Sequence, residues 1–318
     1  MEILVGNTGF VGQNLAAEHH FDGLFHASDI AEAYGACPDL LVYAGVTGTK
    51  YMANHEPEKD LAVVKNALEN IRRIRPKRLV LISSVDVYRD PVGVDEDDIS
   101  QTEHMQTYGI DRLLLEQWVR EEYPEALFVR LPGIYGLGLK KNFIYDYIHL
   151  VPPMLTNQLF FELSAQDSMI ADYYTDLHNG FYQCAAQDGR SYAALQRYFT
   201  KAGFSAMNFT DSRGIFQYYN LRYLWLHLVV AMNNQLKRIN IATEPFSIAE
   251  LCSYLDGRTF ENYLEKPLVH YDVYTRYASL FGKSGNYIFS KEDVFRDLKK
   301  YIAEQQRQFL EERWEEAQ

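Results

Sequence analysis

Tyr108 and Arg112 stand four residues apart at the start of an apolar-periodic segment, Tyr108-Gly-Ile-Asp-Arg112-Leu-Leu-Leu115. On a helix, positions i and i+4 share a face. A cation beside a phenol favours the phenolate and lowers its pKa from about 10, as proton exchange near neutral pH requires. The alternative is a surface Tyr–Arg pair. A second set precedes it in the chain, Leu81-Ile-Ser83-Ser84-Val-Asp86-Val-Tyr88, an apolar run that ends abruptly in hydroxyls and a carboxylate. Ser84 has the chemistry to hydrogen-bond a substrate oxygen, and Asp86 to take or give a proton. The alternative is that the serines only cap the strand end.

These groups need a scaffold that brings a strand end and a helix start together. The run Arg78-Leu-Val-Leu-Ile-Ser-Ser84 reads as a strand buried on both faces. Further strands are expected at Ile3–Val5, Leu24–His26, Leu40–Tyr43 and Leu127–Leu131, with helices around Val11–His20, Lys59–Arg73 and Thr107–Glu122. This alternation is that of βαβ units and a parallel sheet, whose ligands bind outside the strand carboxyl ends. Ser28 to Pro38 is short for a crossover helix, so one unit is expected to be trimmed. The chain opens with strand, Gly6-x-x-Gly9-x-x-Gly12 turn and helix start, an anion site in which missing Cβ atoms let a pyrophosphate approach. After Gly136 the pattern loosens into helices at Phe143–His149 and Tyr192–Ala202, a strand at Ala206–Phe209, and a helix at Leu221–Leu236. A strand at Ile239–Ala242 follows. Ser247 and Glu250 form a capping-box start for the next helix, and a last helix runs from Lys291 to about Glu315.

The 318 residues carry a net charge of −12, which argues against nonspecific nucleic-acid binding. No apolar run is long enough to span a membrane. A strand at the first residues leaves no room for a signal peptide, and three scattered cysteines (Cys37, Cys184, Cys252) fit reduced thiols, so the expected location is the cytoplasm. Neither the cysteines nor the nine histidines show metal-ligand spacing, and no metal is expected. The acidic run Asp95–Asp98 reads as a solvated loop.

With glycine loop, Ser84 strand and Tyr108 helix in this order, the chain resembles the extended short-chain dehydrogenase/reductase family of nucleotide-sugar epimerases, dehydratases and reductases. Arg130-Leu-Pro-Gly-Ile-Tyr135-Gly136, Phe216-Gln-Tyr-Tyr-Asn220 and Ile239–Leu251 are similar to later landmarks of that family. The resemblance implies an α/β fold, a Rossmann-type doubly wound parallel sheet with a small, mostly helical C-terminal substrate lobe. The expected division is residues 1–136 plus about 206–242 for the dinucleotide domain, and about 137–205 and 243–318 for the lobe. It implies Tyr108 as acid/base, with Arg112, Ser84 and Asp86 as its catalytic partners. Asp86 sits where some dehydratases keep a carboxylate for proton abstraction. The implied cofactor set is Gly6, Thr8, Gly9, Phe10, Val11, Gly12, Ala44, Gly45, Tyr108, Arg112 and Pro132, with Asp29 and Ile30 near the adenosine. Asp29 stands either for the ribose-binding acid or for the Asp of an adenine-contacting Asp–apolar pair.

Substrate candidates are Ser84, Asp86, Tyr88, Lys141, Asn142 and Arg213, with Tyr173, Tyr174, Tyr218 and Tyr219 able to stack or to fill the core. Asn66 is a weaker match to a helix asparagine that anchors a water. Three departures stand out: Arg112 replaces the family's lysine, Gly133 stands where many members carry Asn, and the segment after the second strand, where the ribose-binding acid is usual, is trimmed. Because no Arg or Lys occurs between Val5 and Asp39, the expected cofactor is NAD, with NADP as the alternative. The expected partner is a small nucleotide-sugar or polyol substrate, in a homodimer formed through the helices Lys59–Arg73 and Thr107–Glu122. Epimerisation, dehydration and reduction are not separated by the sequence. A catalytically silent dinucleotide-binding sensor or assembly protein remains the other reading.

Overall fold

The computed structural model describes residues 1–46, 48–98, 101–186 and 189–316. Six parallel strands form the central sheet: β1 (Glu2–Val5), β2 (Gly23–Phe25), β3 (Leu40–Tyr43), β4 (Leu79–Ser84), β5 (Leu127–Leu131) and β6 (Arg238–Asn240). Their spatial order is β6-β5-β4-β3-β1-β2. The strands are apolar on both faces because helices cover both faces. Alternate residues point to opposite sides of a strand. Ile3, Val5, Leu41, Tyr43, Leu79, Leu81 and Phe128 thus pack on one side against α3 (Pro57–Ile74) and α4 (Thr107–Glu122), through Val64, Ala67, Ile71, Leu115 and Val119. Leu4, Val42, Val80, Leu127 and Val129 pack on the other, against Leu15 of α1 (Phe10–Glu18) and Leu224, Leu228 and Ala231. Each such side chain, fully buried, contributes on the order of 1.5–3 kcal/mol.

The doubly wound sheet expected from the alternating pattern is present, and its trimmed unit is real. Between β2 and β3 a single 3₁₀ turn, Ile30–Ala33, replaces a crossover helix. Ala206–Phe209 is a correction: it is a 3₁₀ turn, closed by a capping box in which Ser205 accepts from Met207 and Asn208 accepts from the Ser205 N–H. The box expected at Ser247 and Glu250 forms, with Ser247 N–H to Glu250 at 2.8 Å and Glu250 N–H to Ser247 Oγ at 3.1 Å.

The chain divides into two compact units. The first, Met1–Leu139 with Ile215–Leu251 and Leu268–Phe295, holds the sheet. The second comprises Lys140–Gly214, Cys252–Pro267 and Arg296–Gln318. Its core gathers Leu155, Phe160, Leu163, Ile170, Tyr174, Leu195 and Phe199 among short helices, beside a small antiparallel sheet of Met154–Thr156, Phe181–Cys184 and Tyr174–Asp176. Among the described residues no helix is long and apolar enough to cross a membrane, and no group of acidic, histidine and cysteine side chains has metal-binding geometry. Glu96 departs from the solvated-loop expectation. It is 1% exposed and accepts hydrogen bonds from Asn240 N–H, Thr275 Oγ1 and Arg276 N–H.

Candidate active site at the carboxyl edge of the sheet

Parallel strands place their carboxyl ends on one edge, and sequence neighbours of β1, β3 and β4 converge there. β1 runs into Gly6, whose φ of +93° suits a residue without Cβ. A Cβ on Gly6 would stand 2.5 Å from Ala44 O, and one on Gly12 only 2.0 Å from Gly6 O. The glycines thus let α1 start directly against the strand ends, with Ala44 and Gly45 alongside. β1 neighbours β2 on one side and β3 on the other, so the chain reverses direction across the sheet at this point, where α/β sheets form their crevice. The α1 N-terminus has no side-chain cap and no acidic residue in its first turn, which leaves its positive end for an anion. Asn7 Oδ1 in the same loop is buried without a partner. An orphaned acceptor beside an uncapped helix start fits a dinucleotide that brings both donors and phosphates.

At the end of β4, Ser84 closes the 3₁₀ turn Val85–Val87. Asp86 N–H donates to Ser84 Oγ at 3.1 Å, and Ser84 Oγ donates to Asp86 Oδ2 at 2.9 Å. Helix α4 brings Tyr108 to the same place. Its backbone is pressed so tightly onto the turn that a Cβ on Gly109 would lie 2.2 Å from Asp86 O. Two further ties hold it. Glu116 and Arg130 form a buried bidentate pair at 3.0 and 2.6 Å between α4 and β5, and Ser83 Oγ donates to Glu116 at 2.6 Å. From the other side, Asn54 of the short helix α2 (Lys50–His55) accepts the Tyr108 N–H at 3.2 Å. Tyr108, Ser84 and Asp86 are thereby assembled into one cluster.

The electrostatics differ from the sequence expectation. Burial pushes the Tyr108 phenol above its ordinary value, and Asp86 adds to that. Arg112, Lys50 and a hydrogen bond with Ser84 pull it down without reversing the result. Arg112 does share a face with Tyr108, its guanidinium 4.4 Å from the ring centre. It is also 4% exposed and held by Asp60 of α3 through Nη1–Oδ2 at 2.7 Å and Nη2–Oδ1 at 3.2 Å. A buried bidentate clamp spends its charge on Asp60. Arg112 does supply the expected downward pull on Tyr108, the largest of those acting on it, but burial outweighs it and the phenol ends above its ordinary value.

Two residues in the cluster carry no local sequence signal. Lys50 Nζ lies 2.7 Å from Asp86 Oδ2 and 3.1 Å from Tyr271 OH, and Tyr271 OH donates to Asp86 Oδ1 at 2.7 Å. Burial would pull the Lys50 ammonium down, but Asp86 and Tyr271 push it above the ordinary lysine value. Burial, with Asp86 beside it, pushes Tyr271 up to about 12. Asp60 had a faint signal, since it falls in the apolar stripe of α3 with Val64, Ala67 and Ile71.

Other candidates are placed as follows. Tyr88 is 4% exposed and bonded to Asp95 O, Arg130 and Asn240, so it belongs to the core rather than to a substrate surface. Asn142 spends its side chain as N-cap of Phe143–His149. Arg213 is paired with Asp211 at 2.8 Å, and Lys141 is exposed; these two and Asn142 belong to the second unit. Tyr174, Tyr218 and Tyr219 are buried. Asn66 is exposed, and the asparagine that α3 buries is Asn70, bonded to Tyr34 and Tyr43. Asp29 lies just beyond β2 and accepts the His26 N–H at 2.7 Å, which holds its carboxyl below the usual range. Ile30 is buried in the core, and Pro132 follows β5 at the same edge as Ser84. Gly133 is required by packing, because a Cβ there would stand 2.7 Å from Gln217 O.

The sheet order and the glycine loop define a Rossmann-type α/β fold. Residues 23–159 match the NAD dependent epimerase/dehydratase family model. Among similar solved structures is dTDP-4-dehydrorhamnose reductase from Bacillus anthracis in complex with NADP, at 13% identity and a TM-score of 0.61, covering 95% of this chain and 97% of that one. UDP-glucose 4-epimerase from Thermotoga maritima with UDP-glucose gives 13%, 0.61, 95% and 98%. UDP-glucuronic acid 4-epimerase from Bacillus cereus, a complex with NAD and a UDP-sugar, gives 15%, 0.55, 96% and 99%. No curated protein sequence matches the chain with significance.

Proposed function

We propose that this protein is an NAD(P)-dependent reductase or epimerase of a nucleotide sugar or related polyol, with Tyr108 as the acid/base. The observation that carries this reading is the convergence of Tyr108, Ser84 and Asp86 on the sheet edge that also holds the glycine loop. Gly6–Gly12, Ala44 and Gly45 would hold the dinucleotide, which supplies a hydride donor or acceptor when bound. Tyr108 gives or takes the proton at the substrate oxygen, and Ser84 turns its hydroxyl from Asp86 to that oxygen. Asp86 already accepts from Ser84, Lys50 and Tyr271, so it must release a donor before it takes a proton from carbon. That favours hydride exchange without elimination. The absence of Arg and Lys between Val5 and Asp39 favours NAD over NADP. A homodimer through α3 and α4, with Leu114 and Trp118 partly exposed for contact, is part of the same reading.

One observation favours the silent alternative: Arg112, at the position of the family's lysine, is committed to Asp60. Titration of the protein with NADH and separately NADPH, followed by nicotinamide fluorescence, tests the first step. Saturable binding of one, followed by turnover in a nucleotide-sugar screen, supports the enzyme. Binding without turnover supports the silent reading, and absence of binding in a folded, cofactor-free sample overturns both.

A further inference from the structure

We infer that Lys50 is the mobile cation of the Tyr108 site, a positioning residue that acts beside the fixed charge of the clamped Arg112. This rests on Tyr108 being the acid/base proposed above.

Two cations reach the phenol, and they differ in how they are held. Arg112 comes from α4 itself, with both terminal nitrogens on Asp60 in a pair that is 4% and 8% exposed. Lys50 opens α2, and the loop before it passes beside the phenol, where a Cβ on Gly48 would lie 4.0 Å from Tyr108 OH. The Lys50 ammonium stands 5.8 Å from the Tyr108 ring centre and 5.4 Å from that of Tyr271. Its pair with Asp86 is open, the lysine side chain being 48% exposed. An ammonium on a flexible, half-exposed stem can follow charge as it develops on Tyr108, whereas a buried planar guanidinium in a bidentate clamp cannot. Asp86 and Tyr271 form its resting seat.

The charged and titratable groups facing Tyr108 are Arg112 from its own helix, Ser84 and Asp86 from the end of β4, and Lys50 from α2. Asp60 of α3 faces it through Arg112, and Tyr271 through Asp86 and Lys50. Lys50 is the more exposed of the two cations, and after its removal Asp86, 17% exposed, keeps Ser84 and Tyr271 as hydrogen-bond donors. Its substitution therefore separates electrostatics from folding.

The test places a fluorinated tyrosine at position 108 and follows its ionisation by ¹⁹F NMR in the free protein, in Lys50, Lys50→Met and Lys50→Arg backgrounds. Lys50→Met is expected to move the midpoint up by about one pH unit, and Lys50→Arg to restore most of it. Arg112→Lys is expected to move it far less. With substrate, Lys50→Met is expected to lower kcat by about a hundredfold with dinucleotide affinity unchanged within a few-fold. An unmoved midpoint in Lys50→Met, or a larger shift in Arg112→Lys, overturns the assignment. The NMR measurement needs neither cofactor nor turnover, so failure of the proposed function leaves it decisive.

Discussion

Removing the Asp60 carboxylate is the sharpest probe of the charge arrangement beneath Tyr108. Asp60→Asn strips the guanidinium of Arg112 of its bidentate partner in a site 4% exposed. Breaking a buried pair from one side ordinarily costs about 3–5 kcal/mol. Asp111 changes that sum. Burial raises its carboxyl to about 6, with further upward pushes from a hydrogen bond to Asp60 and from the Asp60 charge, while Arg112 pulls it down. Its Oδ2 is buried without a partner. With Asp60 neutral, both upward pushes from that residue vanish and Asp111 becomes the counter-ion. Asp60→Asn alone is therefore expected to cost only about 1–2 kcal/mol, and the double variant with Asp111→Asn about 3–5 kcal/mol.

Asp111→Asn alone carries a pH signature. A carboxyl whose folded pKa is raised stabilises the fold while protonated, and loses that stability as pH rises from its unfolded value of 3.8 through about 6. At pH 7.5 the asparagine variant should therefore be more stable than the parent, by on the order of 1–2 kcal/mol once solvent screening is allowed for. At pH 4 the two should converge. Urea unfolding of all four proteins at pH 4 and 7.5 measures each quantity. Additive costs, with a coupling under about 0.5 kcal/mol, or an Asp111→Asn effect independent of pH, would refute the reasoning.

Tyr108→Phe should abolish turnover while NADH affinity stays within a few-fold; persistent turnover means another group moves the proton. Gly109→Ala should cost about 1–3 kcal/mol in thermal or urea melts and lower activity with it, because its Cβ would meet Asp86 O at 2.2 Å. A stable, active alanine variant would show that α4 can retreat from the turn. Burial pulls His227 down to about 4 in the fold, so it contributes stability above pH 6.5 that is lost as pH falls toward 4. In His227→Gln the stability difference between pH 7 and 4 should shrink by roughly 3 kcal/mol, and an unchanged difference would mean His227 is not the titrating group.

Elements that follow from a local pattern could be read in advance. β1, β3, β4 and β5 are continuous apolar runs because helices cover both faces, and α4 runs over the expected residues Thr107–Glu122. Short elements were harder. Ala206–Phe209 looks like a strand by hydrophobicity, yet Ser205 and Asn208 pair as a capping box and wind it into a turn. The three-residue strands around Tyr174–Asp176 are too short to show alternation. Tyr108, Ser84 and the glycines were legible as motifs tied to a strand end or helix start. Lys50 and Tyr271 were not, because they meet Asp86 from segments 36 and 185 residues away.

The case of Arg112 shows what spacing leaves open. Four residues on a helix place a cation beside the phenol, and the structure keeps that placement. The field a cation exerts depends on what neutralises it and how firmly. Asp60 sits on a different helix, in an apolar stripe where a carboxylate needs a partner, and it takes the guanidinium bidentately. Replacing lysine by arginine at position 112 thus changes more than the size of the cation. It supplies a fork that fits a buried carboxylate and ties α4 to α3. A site that still moves a proton at Tyr108 then needs its mobile charge from elsewhere, and the loop after β3 delivers one in Lys50.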